Sequence, residues 1–370
     1  MTEKLFSPLA LGPVTLQHRV VMAPLTRMRA SPDGNVPTAQ NALYYAQRAT
    51  PGGLLIAEAS PVSWQGHGHA KGPGTHTAAQ VAGWRLVTDA VHAKGGVIYL
   101  QLWHTGRVSH SSFQADGGAP VGPSAIAAQG MTTARDGTPS PFEVPRALDT
   151  TEMPGLVESW RQAAANAISA GFDGVEIHGA NGYLLEQFLQ SRSNHRSDRY
   201  GGSIENRSRL HLEIAQAVAN EIGADRTGIR LSPWGVANDS GETDPLPLYS
   251  YLVRELAKIG LVYLHLIEPR ASGTGKADIV REGQPSTAEI FRPMWPNVLI
   301  DAGGYDRDGA LQTVREGRAD AVAFGRFFIS NPDLPKRVEL GAAFTPYQRA
   351  TFYGGGAAGY TDYPVLTPAA

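Results

Sequence analysis

No cysteine occurs among the 370 residues. Disulfide scaffolds, zinc ribbons, thiolate-ligated iron–sulfur clusters and cysteine nucleophiles are therefore excluded. Charge is sparse as well. Asp, Glu, Lys and Arg make up 18% of the chain, below the ~25% of an average soluble domain. The 32 basic and 34 acidic side chains leave a formal charge of -2, without the basic surplus that sequence-independent binding to nucleic acid or an anionic membrane needs. No apolar run approaches the ~18 residues of a membrane span. The opening residues, MTEKLFSPLALG, lack the apolar stretch of a signal peptide. The expectation is a soluble, cytoplasmic protein that acts on small molecules.

Glycine (42) and proline (26) are plentiful beside a hydrophobic fraction of 42%, which points to many short turns around a large core. The length suits one α/β barrel or two ordinary domains. Eight short apolar runs recur, each bounded by turn residues: 19–23 (RVVMA), 53–57 (GLLIA), 97–102 (VIYLQL), 174–177 (GVEI), 228–231 (GIRL), 262–266 (VYLHL), 298–301 (VLID) and 321–324 (AVAF). Runs of this length suit strands buried on both faces, as in a parallel sheet. Helical periodicity follows in 77–94, where Val81, Trp84, Val87 and Val91 repeat at three and four, and in 153–170, 203–221 and 306–316. Strands that alternate with helices in this way predict a single (β/α)8 TIM barrel over residues 1–370. The exception is 104–150, rich in Gly, Ser, Pro and Thr and without helical period, which reads as a long capping loop after the third strand.

Active sites of such barrels lie at the C-terminal ends of the strands, and polar residues gather there. The first strand leads to Pro24, Leu25, Thr26 and Arg27. The third contains Gln101 and ends in Trp103 and His104. The fourth runs into His178, Asn181 and Tyr183, and the fifth carries Arg230 near its end. The seventh and eighth are followed by Gly303 and Gly304, and by Gly325 and Arg326. Loops after the last two strands commonly hold a phosphate. Glycines let backbone N–H groups approach an anion, and an arginine fork matches its oxygens. A phosphate-bearing ligand is expected there.

Six stretches in order, LFSPLALGPVTLQHRVVMAPLTRMRA, LLIAEAS, QLWHTGR, FDGVEIHGANGYLLEQFLQSRSNHRSDRYGGSIENRSRLHLEI, AFGRFFISNPDL and YGGGAAGYTDYP, resemble the Old Yellow Enzyme family from about Leu5 to Pro364. The chain is similar in particular to the bacterial morphinone and nitrate-ester reductases. The resemblance implies an FMN-dependent ene-reductase fed by NADPH or NADH, with donor and acceptor sharing one cavity. FMN would lie against Ala23, Pro24, Leu25, Thr26, Gln101 and Arg230 and against backbone groups offered by Ala57, with its phosphate at Gly303, Gly304, Gly325 and Arg326. His178 and Asn181 would clamp the substrate oxygen, and Tyr183 would donate the proton. Trp103, His69 and Tyr353 would shape the substrate cavity. His69 departs from the tyrosine of many relatives. Arg146, near the end of the capping loop, is expected to face the pocket. One branch of the family places cysteine beside the flavin where Thr26 stands, so a cysteine-free chain belongs elsewhere in it.

Two other readings stay open at this level: a metal-dependent hydrolase built on His67, His69, His76, His104 and His110, and a flavin- or phosphate-binding protein without catalysis. The histidines lack the spacing of a zinc helix such as H-E-x-x-H, so no metal is expected. Gly354, Gly356 and Gly359 spell a G-x-G-x-x-G dinucleotide fingerprint, but no strand precedes it and no helix follows.

Overall fold

The computed structural model describes residues 3–271 and 286–367. Its centre is a closed barrel of eight parallel strands: β1 (Val20–Met22), β2 (Leu54–Pro61), β3 (Val97–Trp103), β4 (Gly174–His178), β5 (Thr227–Leu231), β6 (Tyr263–Ile267), β7 (Val298–Ala302) and β8 (Ala321–Phe324). Strand β8 closes on β1 through Val322↔Val20, Ala323↔Val21 and Phe324↔Met22. All eight apolar runs become barrel strands, with ends shifted by a few residues.

Helices α1 (Ala39–Arg48), α2 (Ala78–His92), α3 (Met153–Ser169), α4 (Ile204–Ile222), α5 (Pro245–Ile259), α6 (Thr287–Phe291) and α7 (Arg307–Arg315) follow the first seven strands in turn. Their starts are written in the sequence. Thr77 accepts from the backbone N–H of Gln80 ahead of α2, and Ser203 does the same for Asn206 ahead of α4. α1 and α5 have weaker signals. Pro245 and Pro247 look like a break but sit in the first turn of α5, where a missing N–H costs nothing.

Alternate residues of each strand face opposite ways. Val20, Met22, Leu55, Ala57, Ile98, Leu100, Val175 and Ile177 pack outward in the same core as helix residues Trp84, Val87, Trp160, Leu210 and Ile214. Val21, Leu54, Ile56, Tyr99, Tyr263 and Ile300 fill the barrel interior. The hairpin Leu9–Leu11 with Val14–Leu16 closes the floor, burying Leu11 and Leu16 against this interior set. Its turn requires Gly12, which has φ +56 and where a Cβ would meet Asp225 O at 1.9 Å.

Towards the C-terminal ends the inward positions turn polar: Gln101, Glu176, His178, Arg230 and His265 are all buried. The long segment after β3 has structure of its own. Met131–Thr133 pairs with Pro139–Pro141, and Val121–Gly122 with Arg146–Ala147. Among the described residues no helix is long and apolar enough to cross a membrane.

Candidate active site

Two adjoining cavities open at the C-terminal ends of the strands. The larger, of about 520 Å³, is lined by Pro24, Leu25, Thr26, Gln101, Arg230 and Arg326 at its base. Trp103, His178, Asn181, Tyr183, His69 and Tyr353 also line it. The smaller, of about 120 Å³, is lined by Ala23, Gly303, Gly304 and Gly325, and shares Pro24, Leu25, Arg230 and Arg326 with the first. With Ala59 of β2 and Ile267 of β6, all eight strands deliver residues to this place.

Ala57, expected to offer backbone groups, is fully buried with its side chain among the helices. Ala59, two residues on, lines the larger cavity. The run read as ending at Ala57 continues to Pro61, and the pairing with β3 slips between Ala57 and Ser60. Such a bulge re-aims the chain. Glu58 hides the continuation: a charged residue ends the apolar run, yet it is buried, accepting from Arg27 N at 3.0 Å and Tyr45 Oη at 3.3 Å.

Arg146 also lies elsewhere. It is exposed and forks onto Glu152 at 2.7 and 2.9 Å, because Glu152 sits in the capping turn before α3. The capping segment instead contributes Met131, Thr132, Thr133, Ala134, Arg135 and Phe142 to the cavity wall. Nothing in its loop-like sequence singles these out.

The end of β4 and the turn after it carry His178, Asn181 and Tyr183. His178 Nδ1 accepts from Ala180 N at 3.3 Å, so the ring's proton is on Nε2, free to donate into the cavity. Burial, with Arg230 and His265 nearby, holds its pKa well below the usual imidazole value, so the ring is neutral at neutral pH. Asn181 adopts φ +60, a left-handed conformation that asparagine tolerates. Its backbone N–H donates to Ser232 Oγ at 2.9 Å, and its carbonyl accepts from Asn238 Nδ2 at 2.9 Å. Tyr183 packs edge-on to Trp103, with ring centroids 4.7 Å apart and planes at 87°, and lies 5.1 Å from the His178 ring. Burial raises its hydroxyl above the usual phenol range, with Tyr353 adding to the shift and Asn238 opposing it. His69 stacks on Trp103 at 5.4 Å.

Glu186 locks this turn from behind. It is fully buried. It accepts from Gly182 N, from Ser232 Oγ at 2.8 Å and from Tyr249 Oη at 2.6 Å. Burial pushes its pKa up to about 7, against the pull of those donors. Between the ordinary value of 4.5 and about 7 the folded state holds a proton that the unfolded chain has lost, so stability falls as pH rises. The expected difference across that window is about 3 kcal/mol. Urea unfolding of the wild type and of Glu186→Gln over this range should show the wild type losing stability relative to the variant. Parallel curves would remove this role.

The C-terminal segment carrying Tyr353 is held by Arg27. Fully buried, Arg27 donates Nε to Phe352 O and Nη2 to Gly359 O, both at 2.9 Å. Gly354, Gly356 and Gly359 lie in this irregular stretch, after a single turn at Arg349–Thr351. His67 and His76 meet each other, Nε2 to Nε2, at 3.0 Å. Among the described residues no group of three or more His, Asp or Glu could hold a metal ion.

The paired cavities fit FMN. Arg230 is a buried cation whose Nε has no hydrogen-bond partner in the protein, as suits a group awaiting a ligand acceptor. Gln101 lines the same cavity and offers an amide to the polar edge of a ring, and the smaller, glycine-lined cavity with Arg326 suits a phosphate.

The model of the NADH:flavin oxidoreductase / NADH oxidase family matches residues 4–344. Morphinone reductase, solved in complex with tetrahydroNAD, is 48% identical; the match covers 98% of each chain with a TM-score of 0.91. The Old Yellow Enzyme homologue from Zymomonas mobilis is 40% identical over 98% of this chain and 99% of that one, with a TM-score of 0.92. Among curated proteins, 12-oxophytodienoate reductase 2 of Arabidopsis thaliana is 46% identical over 98% of this chain and 96% of its own. An eight-stranded parallel barrel with a two-part cavity at its C-terminal face, matched over nearly its whole length, belongs to the NADH:flavin oxidoreductase / NADH oxidase family, the family of Old Yellow Enzyme.

Proposed function

We propose that this FMN-dependent, nicotinamide-linked ene-reductase reduces the activated C=C bond of α,β-unsaturated ketones, aldehydes and imides and of nitroalkenes. In this reading His178 and Asn181 hold the activating oxygen and Tyr183 supplies the proton. The observation that carries it is the convergence of those three side chains on the cavity that Gln101 and Arg230 also line.

Bound FMN supplies the hydride that reaches the β-carbon. As that carbon is reduced, negative charge gathers on the substrate's carbonyl or nitro oxygen. The Nε2–H of neutral His178 and the side-chain amide of Asn181 are donors already in place for it, and preorganised donors favour the charged transition state over the ground state. The α-carbon then needs a proton. Tyr183, protonated throughout the neutral range, can give one. Trp103 and His69, stacked on each other in the cavity lining, would help to orient the alkene. Thr26, Gln101 and Arg230 would hold the isoalloxazine, and Gly303, Gly304, Gly325 and Arg326 the phosphate.

The donor reaches the same cavity. Among its described lining residues are Lys71, Arg135, Arg230 and Arg326 and no carboxylate, a balance suited to a phosphate-bearing nucleotide. NADPH and NADH both meet it, and the cytoplasm, where that pool is regenerated, is where we place the enzyme. Nitrate esters also present an oxygen for the clamp. Anaerobic reduction by each nicotinamide, followed by reoxidation with an enone, a nitroalkene and a nitrate ester, tests the acceptor class. Rapid reoxidation by the first two is expected, and failure of both would overturn the assignment.

A further inference from the structure

Glu176 sits on the inner wall of β4, two residues before His178, and is fully buried. Its partners come from other strands. Gln101 of β3 donates Nε2 to Oε1 at 2.7 Å, and His265 of β6 donates from Nδ1 to Oε2 at 2.8 Å. Each carboxylate oxygen is thus engaged. Arg230, on the neighbouring strand β5, is paired in register with His178 and sits within the field of the Glu176 charge.

The chemistry of these groups fixes their orientation. An ionised carboxylate only accepts hydrogen bonds. The NH2 of Gln101 must therefore face Glu176, which leaves the carbonyl Oε1 for the cavity that Gln101 lines. His265 must carry its proton on Nδ1. Arg230, although within the field of this carboxylate, keeps a free Nε N–H.

We propose that Glu176 is a positioning residue for the cofactor: it locks the Gln101 amide with its acceptor towards the cavity and balances part of the Arg230 charge. The cavity then presents one acceptor beside one cationic donor, the complement of a flavin pyrimidine edge, where an imide N–H lies beside carbonyl oxygens. A freely rotating Gln101 would offer its NH2 to that N–H as often as its oxygen.

The test is Glu176→Gln. The new amide satisfies the His265 donor with its oxygen and turns its NH2 on Gln101, forcing the Gln101 amide over. FMN affinity, read by quenching of flavin fluorescence, is expected to weaken about ten- to hundred-fold. The midpoint potential of bound FMN is expected to rise, because Arg230 loses its balancing charge. The discriminating arm is the same substitution made in Gln101→Ala. With no amide to misorient, the affinity loss from Glu176→Gln should vanish there, while the rise in potential persists. If Glu176→Gln does not fold, Glu176→Asp takes its place in the affinity cycle, because its shorter reach breaks the Gln101 contact.

The inference rests on the flavin edge lying at Gln101 and Arg230. If Gln101→Ala alone leaves FMN affinity unchanged, that placement is wrong. If Gln101→Ala weakens binding but Glu176→Gln does not, or weakens it equally in both backgrounds, the placement stands and the positioning role is overturned.

Discussion

Alanine at His178 is expected to lower turnover of an α,β-unsaturated ketone by about 10²–10³-fold, the usual cost of removing one donor from a site where negative charge develops. The ring can donate from Nε2 because Ala180 N occupies Nδ1. It is neutral because burial and its cationic neighbour Arg230 oppose a second proton. The loss should fall on the step that consumes the alkene and be visible at saturating substrate. FMN content should stay within a few-fold of the wild type, since His178 touches the substrate side. Asparagine at the same position keeps a donor and should recover part of the rate. Removing Asn181 as well should cost less than the sum of the single losses, because the two donors act on one oxygen. Stopped-flow reoxidation by an enone measures all three variants, and an unchanged rate in His178→Ala would remove the clamp.

Phenylalanine at Tyr183 should separate the two halves of the cycle. The ring, packed on Trp103 and His178, is retained and only the hydroxyl is lost. Reduction by the nicotinamide should therefore proceed at the wild-type rate. Turnover of a weakly activated alkene should fall by about 10²–10⁴-fold, the range for loss of a general acid. A nitroalkene is expected to be nearly indifferent, because solvent can protonate its stabilised anion. Burial raises the Tyr183 hydroxyl, so the wild-type rate should not lose its acid through neutral and mildly alkaline pH. Equal turnover of the weak alkene by wild type and Tyr183→Phe would deny the hydroxyl its part.

The barrel was legible because parallel strands are buried on both faces and so read as bare apolar runs, each followed by a periodic helix. The polar residues after those runs were legible because the fold admits chemistry at one end only. What was hidden depends on contacts distant in sequence. Glu176 stands inside an apolar run like any irregularity, and its partners lie 75 and 89 residues away. Glu186 looks like an ordinary charged position in a short helix, though it secures the turn that carries Asn181 and Tyr183. Ala59 stands at the expected strand end, but which way it faces is hidden because a bulge breaks the alternation by which strand faces are counted. Arg146 was misplaced because a nearby glutamate captures it. The capping segment has hairpin structure but neither helical nor strand periodicity long enough to read, so its share of the cavity wall appears only in three dimensions.

In the proposed cycle one cavity passes two electrons from a nicotinamide to an activated alkene held by His178 and Asn181. The most direct test is an anaerobic titration of the FMN-loaded protein: bleach the flavin with one equivalent of NADPH or NADH, then add cyclohexenone in small portions. Full return of the oxidised flavin spectrum at one equivalent of enone, with the saturated ketone formed in equal amount, is the predicted result. A bleached protein that oxygen reoxidises but the enone does not would contradict it.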